Sequence, residues 1–466
     1  MVKHEHPKAL YFLFTVEMWE RFSYYGMRAL LVLYMIKVLL FTDKEAGHVY
    51  GIYTGLVYLT PLIGGYIADR YAGQKNSVLA GAALMMLGHF VLALPGLSFF
   101  YIALALLIIG NGFFKPNIST MVGQLYEEND ARRDGGFTIF YMGINLGAFF
   151  SPLICGTLGE KIGFHYGFAS AGIGMLIGLL TFMWGQKRFI NEIGNKPVII
   201  NKENELLNEP VLVASCHSED LNQPKNKFHE KRILCVAQND EINVTKDNKL
   251  TKEEKHRIAV IFIMMFFSIF FWASFEQAGC SMTLFADRST DRVIPFLNIE
   301  VPVSWFQSVN PLLIMFFAPL LSKLWLDLAD VNKTPSLPIK FAIGMFLISL
   351  GFILMVSASG FAETAKVSLF WLVGAYFFHT LGELCISPVG LSMVTKLAPV
   401  HFASLLMGIW FLSSFFANLL AGFFAGAYSS LKTSEFFLIP AVITAICAVV
   451  LILIKKPVKR WMHGVE

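Results

Sequence analysis

Glu17-Met-Trp-Glu20-Arg21-Phe-Ser-Tyr24-Tyr25-Gly26-Met-Arg28 lies inside the first long apolar run of the chain. Leu10 to Phe14 precede it and Leu30 to Ile36 follow, and both flanks are lipid-like. On a helix, Glu17, Glu20, Arg21, Tyr24 and Arg28 recur every three or four residues and share one face. An ion facing lipid at mid-membrane costs about 2.5–3.5 kcal/mol. Four on one stripe must therefore face protein or a watery cavity, and intramembrane charge is first read as a functional site. The plainer reading is charges that lock two helices together. Arg28 lies a turn or more beyond the cluster and needs a partner of its own.

Composition places this stretch in a polytopic membrane protein. Of 466 residues, 55% are hydrophobic, 14% aromatic and 15% charged, and the mean hydropathy is +0.58. The 44 phenylalanines and 37 glycines suit helices packed closely in lipid. The net charge of +4 says little about partners, and no nucleic-acid partner is expected. Six cysteines are scattered without the spacing of a zinc site or a disulfide framework, so no metal or cofactor is expected. The first run carries charge and lacks a small-residue cleavage site, so it reads as a retained helix and not as a signal peptide.

Runs long enough to span a bilayer, about 20 residues each, fall near 10–40, 47–68, 77–96, 99–122, 137–159 and 166–190. A second set falls near 257–285, 303–326, 338–358, 368–390, 402–428 and 434–455. The expectation is an all-α membrane protein of twelve transmembrane helices in two six-helix bundles. Residues 1–190 would form the first, 257–466 the second, and the polar stretch 191–256 a soluble linker. Cys216 and His217 lie in that linker and read as ordinary solvated side chains. Lysines and arginines concentrate on the side holding both termini by about two to one once the linker is discounted, which makes that side cytoplasmic. Lys455, Lys456, Lys459 and Arg460 anchor the last helix there.

Two joined halves are the pattern of transporters built from repeats, with substrate held between them. The connection after the second run, Gly64-Gly-Tyr-Ile-Ala-Asp69-Arg70-Tyr-Ala-Gly73-Gln-Lys75, resembles the cytoplasmic signature of the major facilitator superfamily. In that signature an Asp and a basic residue tie helix ends together. Leu326-Asp327-Leu-Ala-Asp330 is a faint echo in the second half.

Three more charges lie inside apolar runs: Lys115 in the fourth, Glu276 in the seventh and Glu383 in the tenth. The fourth and tenth runs hold the same rank in their halves, so Lys115 and Glu383 are expected as partners across the cavity. Three cations (Arg21, Arg28, Lys115) then meet four carboxylates (Glu17, Glu20, Glu276, Glu383). One acid lacks a fixed partner, and desolvation favours the protonated form of a lone acid. Such a group can take a proton from one side and release it to the other. The blander alternative is a fully paired structural network.

Neutral polar groups complete the expected site. Asn145 lies between Gly143 and Gly147, which permit close helix approach. Asn310 precedes Pro311, where a freed carbonyl can face the cavity. Trp410 and Ser414 are a turn apart. A substrate with a cation at one end and an anion at the other would match Glu383 opposed by Arg28 and Lys115. A di- or tripeptide, roughly 7–10 Å long at about 3.3–3.6 Å per residue, fits a midplane cavity. Its side chains would meet Tyr24, Tyr25 and Trp410.

These motifs are similar to those of the proton-coupled oligopeptide transporters, the peptide branch of the major facilitator superfamily. The likeness covers nearly the whole chain outside the linker. It rests on Glu17-x-x-Glu20-Arg21-Phe with Tyr24-Tyr25-Gly26, on Gly112-Phe-Phe-Lys115-Pro-Asn117, on Phe-Tyr-x-x-Ile-Asn145-x-Gly147 and on Gly382-Glu383-Leu-x-x-Ser387-Pro388. The resemblance implies proton symport of di- and tripeptides by alternating access, in a protein that works as a monomer in the plasma or inner membrane. It implies that Glu17, Glu20, Arg21, Lys115 and Glu276 couple proton movement to binding. It implies a gate pairing Arg28 with Glu276, and the Lys115–Glu383 pair expected from the equal rank of their runs would form a second gate. It further implies that Asn145, Asn310 and Glu383 hold the peptide amino terminus, while Trp410, Ser414 and Ser387 line the pocket.

The chain departs from the family pattern in three places. Gly51 stands where some members carry a functional His early in the second helix, and His48 lies one turn away, towards the outer surface. The polar linker cannot supply the two extra helices of many bacterial members. Phe275-Glu276 replaces a pair of acids. Two alternatives stay open: import of another small anion such as nitrate, and a sensor that binds peptide without moving it. No Ser/His/Asp, Cys/His or metal-ligand set suggests an enzyme.

Overall fold

The structure is a computed structural model. It describes residues 5–127, 130, 132–191, 193–195, 250–294, 299–331, 333–399 and 402–465. Most of the expected linker, Cys216 and His217 included, lies outside the described residues.

Among the described residues there are twelve long helices: α1 Lys8–Lys37, α2 Asp43–Ile67, α3 Gln74–Leu92, α4 Leu97–Gly123, α5 Arg133–Ser151 and α6 Phe164–Phe189, then α7 Lys252–Phe275, α8 Val309–Asp330, α9 Leu337–Ala362, α10 Phe370–Leu397, α11 Ala403–Ala425 and α12 Thr433–Leu453. Eleven of these, with their flanking turns, are long and apolar enough to cross a membrane. The remaining one, α1, has 30 residues and buries most of them, but carries Glu17, Glu20, Arg21 and Arg28.

Local sequence sets the helix boundaries. Thr42 and Glu45 cap α2 reciprocally: Glu45 N donates to Thr42 Oγ1 at 3.2 Å and Thr42 N to Glu45 Oε2 at 2.9 Å. Thr251 and Glu254 repeat the device at the start of α7. Gly73, at φ +74°, turns the chain between α2 and α3 in a conformation that side chains rarely adopt. There the basic tie between helix ends is made by Lys75, whose Nζ donates to Asn191 O at 3.0 Å and Asn195 Oδ1 at 2.7 Å.

The seventh apolar run departs from the expected single helix. It breaks after Phe275 into a tight turn, Glu276–Gly279, and resumes as a short helix, Ser281–Arg288. The break places Glu276 and Gln277 in the interior. Two two-stranded pairings close the following connection, Thr290–Asp291 beside Val367–Ser368 and Val293–Ile294 against Ile299–Glu300.

In the first set, α1 packs on α5 and α6, α2 on α4, and α3 on α4 and α6. In the second, α9 packs on α10 and α12, and α11 on α7. The two sets meet where α2 lies on α11 and α5 on α8. Glycines permit the first crossing: a Cβ on Gly51 would come within 2.7 Å of Gly422 Cα, and one on Gly47 within 2.7 Å of Gly422 O. A His at position 51 has no room in this arrangement. His48, one turn earlier, stacks on Phe423 instead.

Candidate functional site

The charged face of α1 is folded inward. Glu20 is 0% exposed, Arg21 and Glu17 1%, Arg28 7% and, opposite them, Glu276 4%. Arg21 forks onto Glu20, with Nη2 donating to Oε1 at 2.6 Å and Nε to Oε2, while its Nε lies 3.3 Å from Glu17 Oε1. Asn111 of α4 donates to the same Glu20 Oε1 at 3.4 Å. Glu17 keeps its second oxygen buried without a hydrogen-bond partner among the described residues. Lys115, half-buried on α4, lies over the Tyr58 ring at 5.6 Å and within the field of Glu17, Glu20 and Arg21.

Two turns further along α1, Arg28 pairs with Glu276 at the break after α7 and donates to Tyr50 OH at 2.7 Å. Tyr25 lies between the two guanidiniums, 6.0 Å from Arg21 and 5.8 Å from Arg28. The Tyr24 ring lies 5.1 Å from Arg21, and its hydroxyl is buried without a partner among the described residues.

Beyond Arg28 the two helix sets are closed together by cross-links. Lys37 reaches Asp287 at 2.6 Å. Arg288 forks onto Asp43 at 2.6 and 2.7 Å, and Ser429 also donates to Asp43. Glu160 accepts the backbone N–H groups of Val303 and Ser304, each at 2.8 Å, where a short helix begins. Trp305 Nε1 donates to Thr157 Oγ1 at 2.8 Å.

At the opposite end a cavity of about 760 Å³ separates α5 from α8 and α10. It is lined by Tyr141, Asn145, Glu383 and Ser387 at depth and by Lys340 and Lys396 nearer the mouth. Asn310 lies behind Glu383 and donates to its Oε2 at 2.8 Å.

Several sequence expectations meet in this geometry, and others do not. Arg28 and Glu276 pair, and Asn145, Glu383 and Ser387 share a cavity. Lys115 and Glu383 form no ion pair in this conformation; the cation rests on Tyr58 and the acid on Asn310. Glu383 is thus the carboxylate of the four that has no cation within ion-pair distance among the described residues. Trp410 is 7% exposed and packs edge-on against Gly390, where an added Cβ would meet its Cζ2 at 2.5 Å. Trp410 and Ser414 are not among the cavity-lining residues, and neither are Tyr24, Tyr25, Arg28, Lys115 or Asn310, which were also expected there; the lining comes mainly from α5, α8 and α10. Sequence reasoning missed Tyr50, Tyr58 and Asn111, neutral groups that complete the ion network, and the cross-links Asp43–Arg288 and Glu160–Val303.

A family model described as the POT family matches residues 75–456. A peptide transporter from Yersinia enterocolitica subsp. palearctica is 37% identical over 99% of this chain and 96% of its own length. A di-/tripeptide transporter from Lactococcus lactis subsp. cremoris is 34% identical over 99% of this chain and 97% of its own. Among solved structures, the crystal structure of a peptide transporter POT in complex with sulfate superposes with a TM-score of 0.84 at 34% identity, covering 99% of this chain and 97% of that one. The fold is that of the major facilitator superfamily, in a multi-pass membrane protein. With a family match across most of its length and relatives this similar from end to end, the chain belongs to the POT family.

Proposed function

We propose that the protein is a proton-coupled symporter of di- and tripeptides that works by alternating access as a monomer. In this reading α1 is the twelfth span, residues 1–190 and 257–466 are the two moving bundles, and 191–256 is the cytoplasmic linker. The sealed end, with Asp43, Glu160 and Arg288, faces outward in the plasma or inner membrane. The open end lies with Lys187, Arg188, Lys455 and Lys456 on the inner side, as the excess of basic residues requires. The conformation is then inward-open.

The observation that carries the reading is the division of labour among the buried ions. Arg28 and Glu276 bolt the two halves at the sealed end. Glu383 faces a peptide-sized cavity with no cation of its own. An ammonium brings three donors and no acceptor, which suits Glu383 and the amide oxygen of Asn145. A carboxylate at the other end of a short peptide is drawn towards Lys115 and Arg28. A proton on Glu276 dissolves its pair with Arg28 and frees the sealed end to open. Glu17, Glu20, Arg21 and Lys115 adjoin this pair and pass charge between the gate and the site. Tyr24 and Tyr25 supply aromatic surface beside them. Trp410 and Ser414 would join the pocket only in a conformation that brings α11 nearer to α10. Glu383 also favours a zwitterion over a small anion, which has no use for a carboxylate in its site.

Uptake of a radiolabelled dipeptide into proteoliposomes, with and without an imposed inward proton gradient, tests this function. Accumulation that requires the gradient is expected. Uptake indifferent to the gradient would remove symport, and absence of uptake and counterflow for every peptide would remove the substrate class.

A further inference from the structure

Asn310 bridges two groups of α10 with one nitrogen. Its Nδ2 donates to Glu383 Oε2 at 2.8 Å and to Thr380 Oγ1 at 3.0 Å. Thr380 is fully buried, nearly one turn before Glu383, and its hydroxyl donates to Tyr376 O at 2.7 Å. A threonine hydroxyl has one hydrogen and two acceptor lone pairs. With that hydrogen committed to Tyr376, the oxygen can only accept from Asn310. An ionised Glu383 also only accepts. Both neighbours therefore demand the NH₂ side of the amide; the flipped orientation would set acceptor against acceptor.

A threonine bonded to the carbonyl four residues back is common in membrane helices and by itself means little. The bond across to α8 is what distinguishes this one. Neither Thr380 nor Tyr376 lines the cavity, whereas Glu383 does. No protein donor reaches Glu383 Oε1 among the described residues.

We infer that Thr380 is a positioning residue for substrate binding: through the amide of Asn310 it holds Glu383 Oε2 and leaves Oε1 as the oxygen offered to the peptide ammonium. This rests on the reading of Glu383 as the amino-terminal site. Thr380→Val keeps the side-chain shape and removes the acceptor; Thr380→Ser restores it.

In proteoliposomes, Thr380→Val is expected to raise KM for a free dipeptide about five- to twentyfold with maximal rate within about twofold of wild type, and Thr380→Ser to return KM to within about twofold. A second measurement needs no transport: mass spectrometry of Glu383 after carbodiimide labelling should show several-fold faster modification in Thr380→Val, reversed in Thr380→Ser. Wild-type KM and labelling in the Val variant would overturn the inference, as would equal impairment of the Val and Ser variants. If wild-type protein moved no peptide while labelling still followed the hydroxyl, the transport reading would fall and the positioning role would stand.

Discussion

Arg28 is a guanidinium that would cost about 2.5–3.5 kcal/mol against lipid. It is met by Glu276 and the Tyr50 hydroxyl, so its charge is neutralised inside the protein. Glu383 has the opposite circumstance: an amide holds it and no cation does. In the proposed site, Glu383→Gln removes the negative charge that would hold the peptide ammonium. The loss of a charge-assisted hydrogen bond is worth about 1.5–3 kcal/mol, or roughly 10- to 150-fold in KM. Gradient-driven uptake of a dipeptide across a concentration series measures it, and an unchanged KM would remove Glu383 from the site. The ions themselves were legible in the sequence, because a charge inside an apolar run has few structural excuses. Arg28 and Glu276 were expected as a pair, but most of the neutral partners were not legible. Tyr50, Asn111 and Thr380 are neutral; Asn and Thr in helices mostly bond to the preceding turn, as Asn145 does to Tyr141 O at 3.0 Å, and a Tyr mostly packs by its ring. Only the fold reveals which of them reaches across to an ion.

A few contacts between elements hold one end of the two helix sets together. Glu160 caps the short helix Val303–Ser308 from the opposite half, supplying an acceptor for two N–H groups that would otherwise have none. Replacing a cap costs about 1 kcal/mol. Glu160→Ala should therefore lower the hydrogen-exchange protection of the Val303 and Ser304 amides about fivefold; unchanged protection would show that the cap closes nothing. Close crossing of α2 and α11 is a second element of the seal. In Gly51→Val the added side chain meets the Gly422 backbone, and the seal should open. Labelling of buried Cys280 by a membrane-impermeant maleimide, slow in the native protein, should then speed up about tenfold or more. Equal rates would mean that the crossing is not what excludes the reagent.

At the other end, the Arg132 side chain hydrogen-bonds to Asp130 and holds its carboxyl down at about 2, below the ordinary value of about 3.9. That pairing is complete above pH 4 and lost only as pH falls through about 2. A response of transport between pH 5 and 8 does not originate there. Helix existence was readable from apolar runs, and most boundaries fall within a few residues of expectation. The break at Glu276–Gly279 was hidden, since its residues are as apolar as their neighbours apart from Glu276 and Gln277 themselves.

For the whole molecule, two helix sets joined at one end and parted at the other leave a cavity of about 760 Å³, the proposed substrate chamber. The two sets of six apolar runs were visible in the sequence. Which end is closed was not, because the cross-links joining Asp43 to Arg288 and Glu160 to Val303 span more than a hundred residues and leave no periodic trace. Coupling sets a ceiling on what such a chamber can accumulate. One proton crossing about 100 mV releases about 2.3 kcal/mol, and one pH unit adds about 1.4 kcal/mol. Together they support roughly 500-fold accumulation of a neutral peptide at one proton each. In the proposed mechanism, proton and peptide move together through the buried ions. Proteoliposomes loaded with a pH-sensitive dye, without an imposed gradient, measure it directly when a dipeptide is added outside. Internal acidification that tracks peptide entry is expected in the native protein, and its absence in Lys115→Ala. Peptide entry at the native rate with no change in internal pH would contradict it.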